Sequence, residues 1–92
     1  MATATTTPRA VLLRRDDDVA VASSPIPAGS VINLGGGPLV ARSPIGLGHK
    51  IAVRDLAAGD PVRKYGQVIG FASQPILAGS HVHVHNLRAD LF

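Results

Sequence analysis

One short pattern occurs four times in this chain and constrains its fold more than any other feature. Each copy has an aliphatic residue, two intervening positions, a glycine and then a small or polar residue, and the copies occupy residues 26–30, 45–49, 56–60 and 76–80. Because glycine adopts a positive φ without steric cost, each copy is typical of a turn whose aliphatic residue enters the core. The first two copies are followed by the last two about thirty residues later, which predicts two similar halves folded over each other.

Short runs suited to β-strands lie between these turns. They carry Val, Ile or Phe at close spacing and occupy residues 18–22, 50–53, 67–71 and 81–85. Residues 64–67 read Lys-Tyr-Gly-Gln, which predicts a hairpin tip with Gly66 at a positive φ. Residues 53–58 form either one helical turn or an extended segment. We therefore expect an all-β domain with little helix.

Composition and charge exclude several classes of protein. The absence of cysteine excludes a disulfide scaffold and an all-thiolate metal site. The net charge of +3 comes from dispersed Arg and Lys with few aromatic residues between them, which disfavours a nucleic-acid partner and suits attraction of a small anion. No apolar run is long enough to span a membrane, and residues 1–8 lack the apolar stretch of a secretory signal, so we expect none. We expect a disordered tail over residues 1–10, one domain over 11–92 and a cytoplasmic location without membrane contact.

The three closely spaced histidines carry the most chemical information. Alternate side chains of a strand share a face, so His81, His83 and His85 would project from one side while Val82 and Val84 face the core. Same-face residues lie about 6.5–7 Å apart, so two of these imidazoles could ligate one metal while the third supports them. A solvated polar face that contains histidine is the alternative.

The repeat connects a fourth histidine to this strand. His49 occupies the position equivalent to Ser80, which would bring it to the same end of the domain as the triplet. Lys50 or Arg54 could hold a substrate carboxylate, Arg54 in a bidentate manner. The alternative for Arg54 is an exposed surface pair with Asp55.

Other polar positions give weaker indications. Asn86 closes the histidine strand and either contacts a ligand or caps the turn. The acidic run 16–18 is more typical of a solvated turn than of a metal site, and Tyr65 is typical of a structural hairpin residue. The glycine run 35–37 lacks the spacing of nucleotide-binding loops, which favours a flexible loop or lid. No general base is identifiable.

Several separate blocks resemble, in order, the N-terminal SAF domain of the altronate and galactarate dehydratase family. The blocks are residues 17–22, 49–56, 58–62, 64–66, 69–70 and 81–87, and the resemblance covers about residues 11–88. It implies a β-clip fold, a small barrel-like arrangement of bent strands and hairpins. It also implies a part in the dehydration of a sugar acid such as altronate or galactarate.

In that family the catalytic bulk lies in a much larger C-terminal region. The chain therefore resembles a small subunit, inactive alone, of such a dehydratase. The alternatives are the alpha subunit of a sulfolactate-type sulfo-lyase and a stand-alone SAF module that binds a sugar acid or metal without catalysis. The implied partners are a larger catalytic subunit and a small anionic sugar acid, with a homo-oligomer left open.

The same resemblance implies roles for individual residues. Members of the family depend on a divalent metal, often Fe²⁺. His83 and His85 would bind it, either in this chain alone or only when the partner subunit is present. Contacts to substrate are expected from His49, Lys50, Arg54 and Asn86. The turn before His49 reads Ile-Gly-Leu-Gly where the family commonly has Ile-Pro-Ala-Gly, so we expect a looser approach to His49.

Overall fold

The computed structural model describes residues 7–88, which form short antiparallel β-strands joined by turns. The strands are β1 (Ala10–Val11), β2 (Val19–Ala22), β3 (Val31–Asn33), β4 (Pro38–Val40), β5 (Lys50–Ala52), β6 (Pro61–Lys64), β7 (Gln67–Ala72), β8 (His81–Val82) and β9 (Leu87–Arg88). Residues 7–88 contain no helix, and hence none that could span a membrane. The prediction of an all-β domain is confirmed. Most of the predicted tail, residues 1–6, lies outside the described residues, but Ala10 already belongs to β1.

The strands form three sheets. Their orders are β1–β2–β5–β8, β6–β7–β9 and the separate pair β3–β4. In the four-stranded sheet, β5 lies between β2 and β8, with Lys50 opposite Val21 on one side and Ile51 opposite His81 on the other. Position 49 and position 54 therefore lie beyond opposite ends of β5, which separates the residues that flank it.

The four-fold sequence pattern forms four equivalent turns. Its glycines, Gly29, Gly48, Gly59 and Gly79, have φ between 81° and 90°. The aliphatic residues pair in antiparallel bridges, Ile26 with Ile45 and Leu56 with Ile76. The predicted turns and the positive φ of their glycines are confirmed.

Each glycine turn is closed by a residue that the sequence pattern did not include. The glycine N–H donates to the carbonyl of an alanine, from Gly29 to Ala41 and from Gly48 to Ala22 in the first half, at 2.7 and 2.8 Å. In the second half Gly59 donates to Ala72 and Gly79 to Ala52, both at 2.7 Å. Every one of these alanines is buried and stands four residues before an aliphatic residue of the pattern. The structural repeat is therefore longer than the sequence repeat.

The core is divided between two matching clusters. One contains Ala20, Ala22, Ile26, Ile32, Ala41, Ile45 and Ile51, and the other contains Val19, Ala52, Leu56, Val62, Ala72, Ile76 and Val82. Apart from Ala20 and Val19, members correspond at a spacing of thirty or thirty-one residues, as Ala22 does to Ala52 and Ile51 to Val82. Hairpins β3–β4 and β6–β7 occupy corresponding places in the two halves. The predicted pair of similar halves is confirmed.

The hairpin tip predicted at residues 64–67 joins β6 to β7. Tyr65 and Gly66 both have positive φ, 54° and 75°, as a type I′ turn requires. The Arg14 guanidinium lies over the Tyr65 ring, 5.1 Å from its centroid. Residues 53–58 are not helical: Val53 and Arg54 form a bend, and Leu56 pairs with Ile76 within the second half.

The prediction that residues 16–18 form a solvated acidic turn is wrong for two of the three. Asp16 is exposed, but Asp17 and Asp18 are buried. The Asp17 carboxylate accepts the backbone N–H groups of Arg14, Tyr65 and Gly66 at 3.1, 2.7 and 2.8 Å. A charged acceptor with three such donors can be buried at little cost, so this carboxylate ties the turn before β2 to the β6–β7 hairpin.

The pKa of Asp17 lies below its ordinary value. Burial alone would raise it, but the three backbone N–H donors from Gly66, Tyr65 and Arg14, together with the positive charge of Arg14, favour the ionised form and lower it overall. The ionised carboxylate is therefore part of the folded structure.

Replacement of Asp17 by Asn should destabilise the fold strongly. The amide keeps the shape but presents an N–H₂ group toward backbone donors, so we expect the free energy of unfolding to fall by about 1.5–3 kcal/mol. The matched control is Asp16→Asn on the exposed neighbour, with an expected change under about 0.5 kcal/mol. Urea unfolding of both variants measures the difference, and equal effects would contradict the role of Asp17.

The same carboxylate predicts a loss of stability in acid. Because folding lowers the pKa of Asp17 below its reference value of 3.8, its contribution is fully present above that pH and is lost as pH falls through the folded-state pKa. The stability difference between wild type and Asp17→Asn should therefore shrink when urea unfolding is repeated between about pH 5 and about pH 2. A difference that stayed constant over this range would show that the charge of Asp17 does not contribute.

Candidate functional site

Four histidine rings converge at one end of the four-stranded sheet. His49 immediately precedes β5, and β8 begins with His81 on the neighbouring strand. The Nδ1 atom of His49 lies 2.9 Å from Nε2 of His81, and their ring centroids are 5.0 Å apart. The centroid of His83 is 5.3 Å from those of both His49 and His81, and His85 is 5.6 Å from His81. The prediction that His49 and the triplet share one end is confirmed.

The histidine rings converge for a different reason from the alternation of side chains along a strand that the sequence suggested. Strand β8 covers only His81 and Val82, and the chain then turns, with the N–H groups of Asn86 and Leu87 donating to the His83 carbonyl. Val82 is buried as predicted, whereas Val84 is 81% exposed and does not face the core. A turn over residues 83–86, and not a regular strand, therefore gathers the imidazoles.

Asn86 holds this turn from inside. Its side chain is buried, its Oδ1 accepts the N–H of His83 at 2.9 Å, and its Nδ2 donates to the carbonyl of His81 at 2.8 Å. Of the two alternatives for Asn86, the structure favours the turn cap. Asn86 was also predicted to contact substrate, but the structure uses both of its polar groups to position two histidines.

The unusual turn before His49 is closed in the same way as the others. The His49 N–H donates to the Gly46 carbonyl at 2.9 Å, and Gly48 has a φ of 81°. A Cβ at position 46 would lie 3.3 Å from Cδ2 of the His49 ring. The second glycine therefore leaves space for this ring beside the turn, and the expected loosening of the turn is not seen.

Three of these histidines have the spacing of metal ligands. One ring nitrogen from each of His49, His81 and His83 lies within 4.8 Å of the others. Metal–imidazole bonds of about 2.0–2.1 Å place ligand nitrogens roughly 3.3 Å apart in a tetrahedral site, so small side-chain movements would suffice. Burial, followed by the positive charges of His49, His83, His85 and Lys50, lowers the pKa of His81. Its imidazole is therefore neutral at neutral pH, as a ligand must be.

This group differs from the pair that the sequence suggested. His83 is in it, whereas His85 lies beside His81 and outside the three-ligand set. The sequence suggested His49 as a substrate contact and gave His81 no individual role. The antiparallel pairing of β5 with β8 brings both residues to the site. This pairing joins two segments that are distant in the chain, and the local sequence does not show it.

The two cations predicted to bind substrate lie in different places. Lys50 is half-buried in β5, next to His49, and its charge reaches His81. Arg54 lies beyond the other end of β5, where its Nε pairs with Asp18 at 3.1 Å. The structure does not bring Arg54 to the histidines. Its suggested surface pair with Asp55 is also wrong, because Asp55 accepts the N–H of Ala78.

Comparisons with known proteins agree with this architecture. The family model described as the altronate/galactarate dehydratase SAF domain matches residues 8–90. The chain is 41% identical over 75 residues to altronate dehydratase of Escherichia coli K12, and 36% identical over 81 residues to altronate dehydratase of Bacillus subtilis. These matches cover 82% and 88% of this chain but only 15% and 16% of the two relatives.

A second group of relatives consists of shorter chains. The (2R)-sulfolactate sulfo-lyase subunit alpha of Chromohalobacter salexigens is 49% identical over 47 residues, which covers 51% of this chain and 50% of the relative. That of Paracoccus pantotrophus is 44% identical over 50 residues, which covers 54% and 75%. Since the family model covers nearly the whole sequence, the chain belongs to the altronate/galactarate dehydratase SAF domain family.

Proposed function

We propose that this chain is the small, substrate-side subunit of a carbon–oxygen lyase that dehydrates a sugar acid such as altronate or galactarate. The observation that carries the proposal is the convergence of His49, His81 and His83 on one solvent-accessible rim. Family membership supports the reaction class, and the relatives named as subunit alpha of a sulfo-lyase support a role as one subunit of a larger enzyme.

The three imidazoles would hold a divalent cation. Neutral imidazole suits Fe²⁺ and Zn²⁺, and Fe²⁺ is our assignment. Three protein ligands leave coordination positions open, and a cation there would bind and polarise an oxygen of a 2-hydroxy acid. Lys50, whose charge acts on His81, would attract the substrate carboxylate. The general base is assigned to the larger subunit.

The surface around the histidines suits coverage by another chain. Leu47, two residues before His49, is 65% exposed, and Val84 lies between His83 and His85 with 81% exposure. Large apolar side chains beside a polar cluster are typical of a surface that a partner buries. The larger subunit would dock on these apolar side chains and cover the substrate bound at the histidines.

A second candidate function is the alpha subunit of a sulfolactate-type sulfo-lyase. It is favoured by relatives of that name, of which this chain covers 50% and 75%. Elimination of sulfite from a 2-hydroxy acid would make the same demand on the histidine rim, so assays with both substrate classes must separate the two. A stand-alone binding module is the third alternative, and it would bind a sugar acid tightly without any partner.

Alanine substitution of single histidines should distinguish those that bind the metal from those that only lie near it. We expect His49→Ala and His83→Ala to weaken Zn²⁺ and anaerobic Fe²⁺ binding by more than about tenfold in isothermal titration. The matched control is His85→Ala, which removes an imidazole outside the three-ligand group and should change affinity by less than about threefold. Equal losses in His83→Ala and His85→Ala would instead support the pair suggested by the sequence.

Activity should depend on the partner and on the apolar rim. The chain alone should release no water from altronate or galactarate, and adding the larger subunit encoded with it should produce turnover. Val84→Asp should abolish that gain because a charge would be buried in the contact. Val68→Asp, on β7 next to the hairpin tip, is the control and should leave turnover intact. Turnover that does not change when this chain is added would contradict the proposed function.

A further inference from the structure

A concave site lies at the other end of β5 from the histidines. It has a volume of about 270 Å³, and its wall contains both the Arg15 and Arg54 side chains and the glycine loop between β3 and β4. Its apolar part includes Leu12, Leu34 and Val53. We call it the arginine cavity. The lyase proposal places no ligand here, and Arg54, which the sequence suggested as a contact for a substrate carboxylate, lines this cavity and not the histidine rim.

The Arg54 guanidinium is held in place from behind. Its Nε pairs with the buried Asp18 carboxylate at 3.1 Å, and its Nη2 donates to the carbonyls of Asp16 and Asp17 at 3.0 and 3.2 Å. Its side chain is nevertheless 51% exposed, and Nη1 makes no hydrogen bond within residues 7–88. A guanidinium fixed in this way loses little side-chain entropy when it binds an anion.

Arg15 supplies a second positive charge in the same wall. It is exposed and makes no hydrogen bond or ion pair with any described residue. Asp17 also lines the cavity, but its carboxylate accepts three backbone N–H groups and forms no ion pair with Arg15. The N–H donors of the Arg15 guanidinium therefore have no partner among the described residues.

The glycine loop presents backbone and not side chains to the cavity. Gly35 and Gly37 have φ of 97° and 111°, which only glycine adopts readily. The N–H of Gly35 donates to Asn33 Oδ1 at 2.8 Å, whereas those of Gly36 and Gly37 have no partner among residues 7–88. Free N–H groups of an exposed glycine loop bind anions well, and the absence of Cβ atoms lets a ligand approach closely.

We propose that the arginine cavity binds a small organic carboxylate. Its carboxylate would lie between Arg15, Arg54 and the glycine loop, and its carbon chain would lie against Leu12, Leu34 and Val53. Paired guanidinium and amide donors match a carboxylate, while the apolar wall selects a ligand with a hydrocarbon body over a bare inorganic anion. The volume limits the ligand to less than drug size.

The test uses 4-methylpentanoate as the probe, with its neutral amide, 4-methylpentanamide, as the matched ligand control. Titration of the labelled full chain, followed by NMR, should give saturable shifts of the Gly36 and Gly37 amides and the Leu12 and Val53 methyls, with a Kd of about 1 mM. The amide should give none. Arg15→Gln should weaken binding by about tenfold, while Arg88→Gln, which removes the same charge elsewhere, should not change it.

A second pair of variants tests the loop without touching the arginines. Gly36 does not have a left-handed φ, and a Cβ there would meet no atom within 4 Å, so a side chain is accommodated. Gly36→Asp should abolish binding by placing a carboxylate in the cavity, whereas Gly36→Ser should retain it. Shifts that persist in Gly36→Asp, that are equal with the amide, or that are as strong in Arg15→Gln as in wild type would overturn the proposal. His83→Ala should bind the probe normally, which separates this site from the histidine rim.

Discussion

The fold depends on one reciprocal interaction, in which a glycine N–H at positive φ reaches the carbonyl of a buried alanine. Four such hydrogen bonds, between 2.7 and 2.8 Å, close the two halves on themselves. The geometry leaves no space for side chains at the tightest point, where a Cβ on Gly79 would meet the Val40 carbonyl. Any residue that replaced Gly79 would also have to adopt its φ of 90°, which residues other than glycine adopt at a cost in free energy. The backbone conformation therefore favours glycine at one position of each pair, and the limited space in the core favours alanine at the other.

The histidine rim follows directly from these turns. His49 comes immediately after Gly48, and His81 comes two residues after Gly79, so each histidine enters its strand from a closed turn. The pairing of β5 with β8 then places the two rings side by side, and Asn86 fixes the chain beyond. The imidazoles are therefore positioned by the backbone in advance, which reduces the entropy that a ligand must overcome on binding.

Much of this organisation could be predicted from the sequence, because it is local. A glycine three residues after an aliphatic residue indicates a turn wherever it occurs, and the Tyr65–Gly66 hairpin tip has its own local signature. The errors have one non-local and one local cause. Asp17 was expected in solvent because three adjacent carboxylates usually are, yet its N–H donors at Tyr65 and Gly66 come from residues almost fifty positions away and are not visible in the local sequence. Val84 was expected in the core because alternation was extended past Val82, where β8 ends and the turn held by Asn86 begins.

The two ends of β5 differ in the chemistry of the side chains that they place at the surface. At one end, burial, followed by the positive charges of the neighbouring histidines and Lys50, lowers the pKa of His81, so its neutral imidazole keeps a lone pair. At the other end, the Arg54 guanidinium cannot lose its proton and is held by buried carboxylate and carbonyl oxygens, so it offers N–H donors to an anion. One short strand therefore separates the proposed metal site from the proposed carboxylate site. Because His49 precedes and Arg54 follows the same three strand residues, a change in the register of β5 would disturb both surfaces at once.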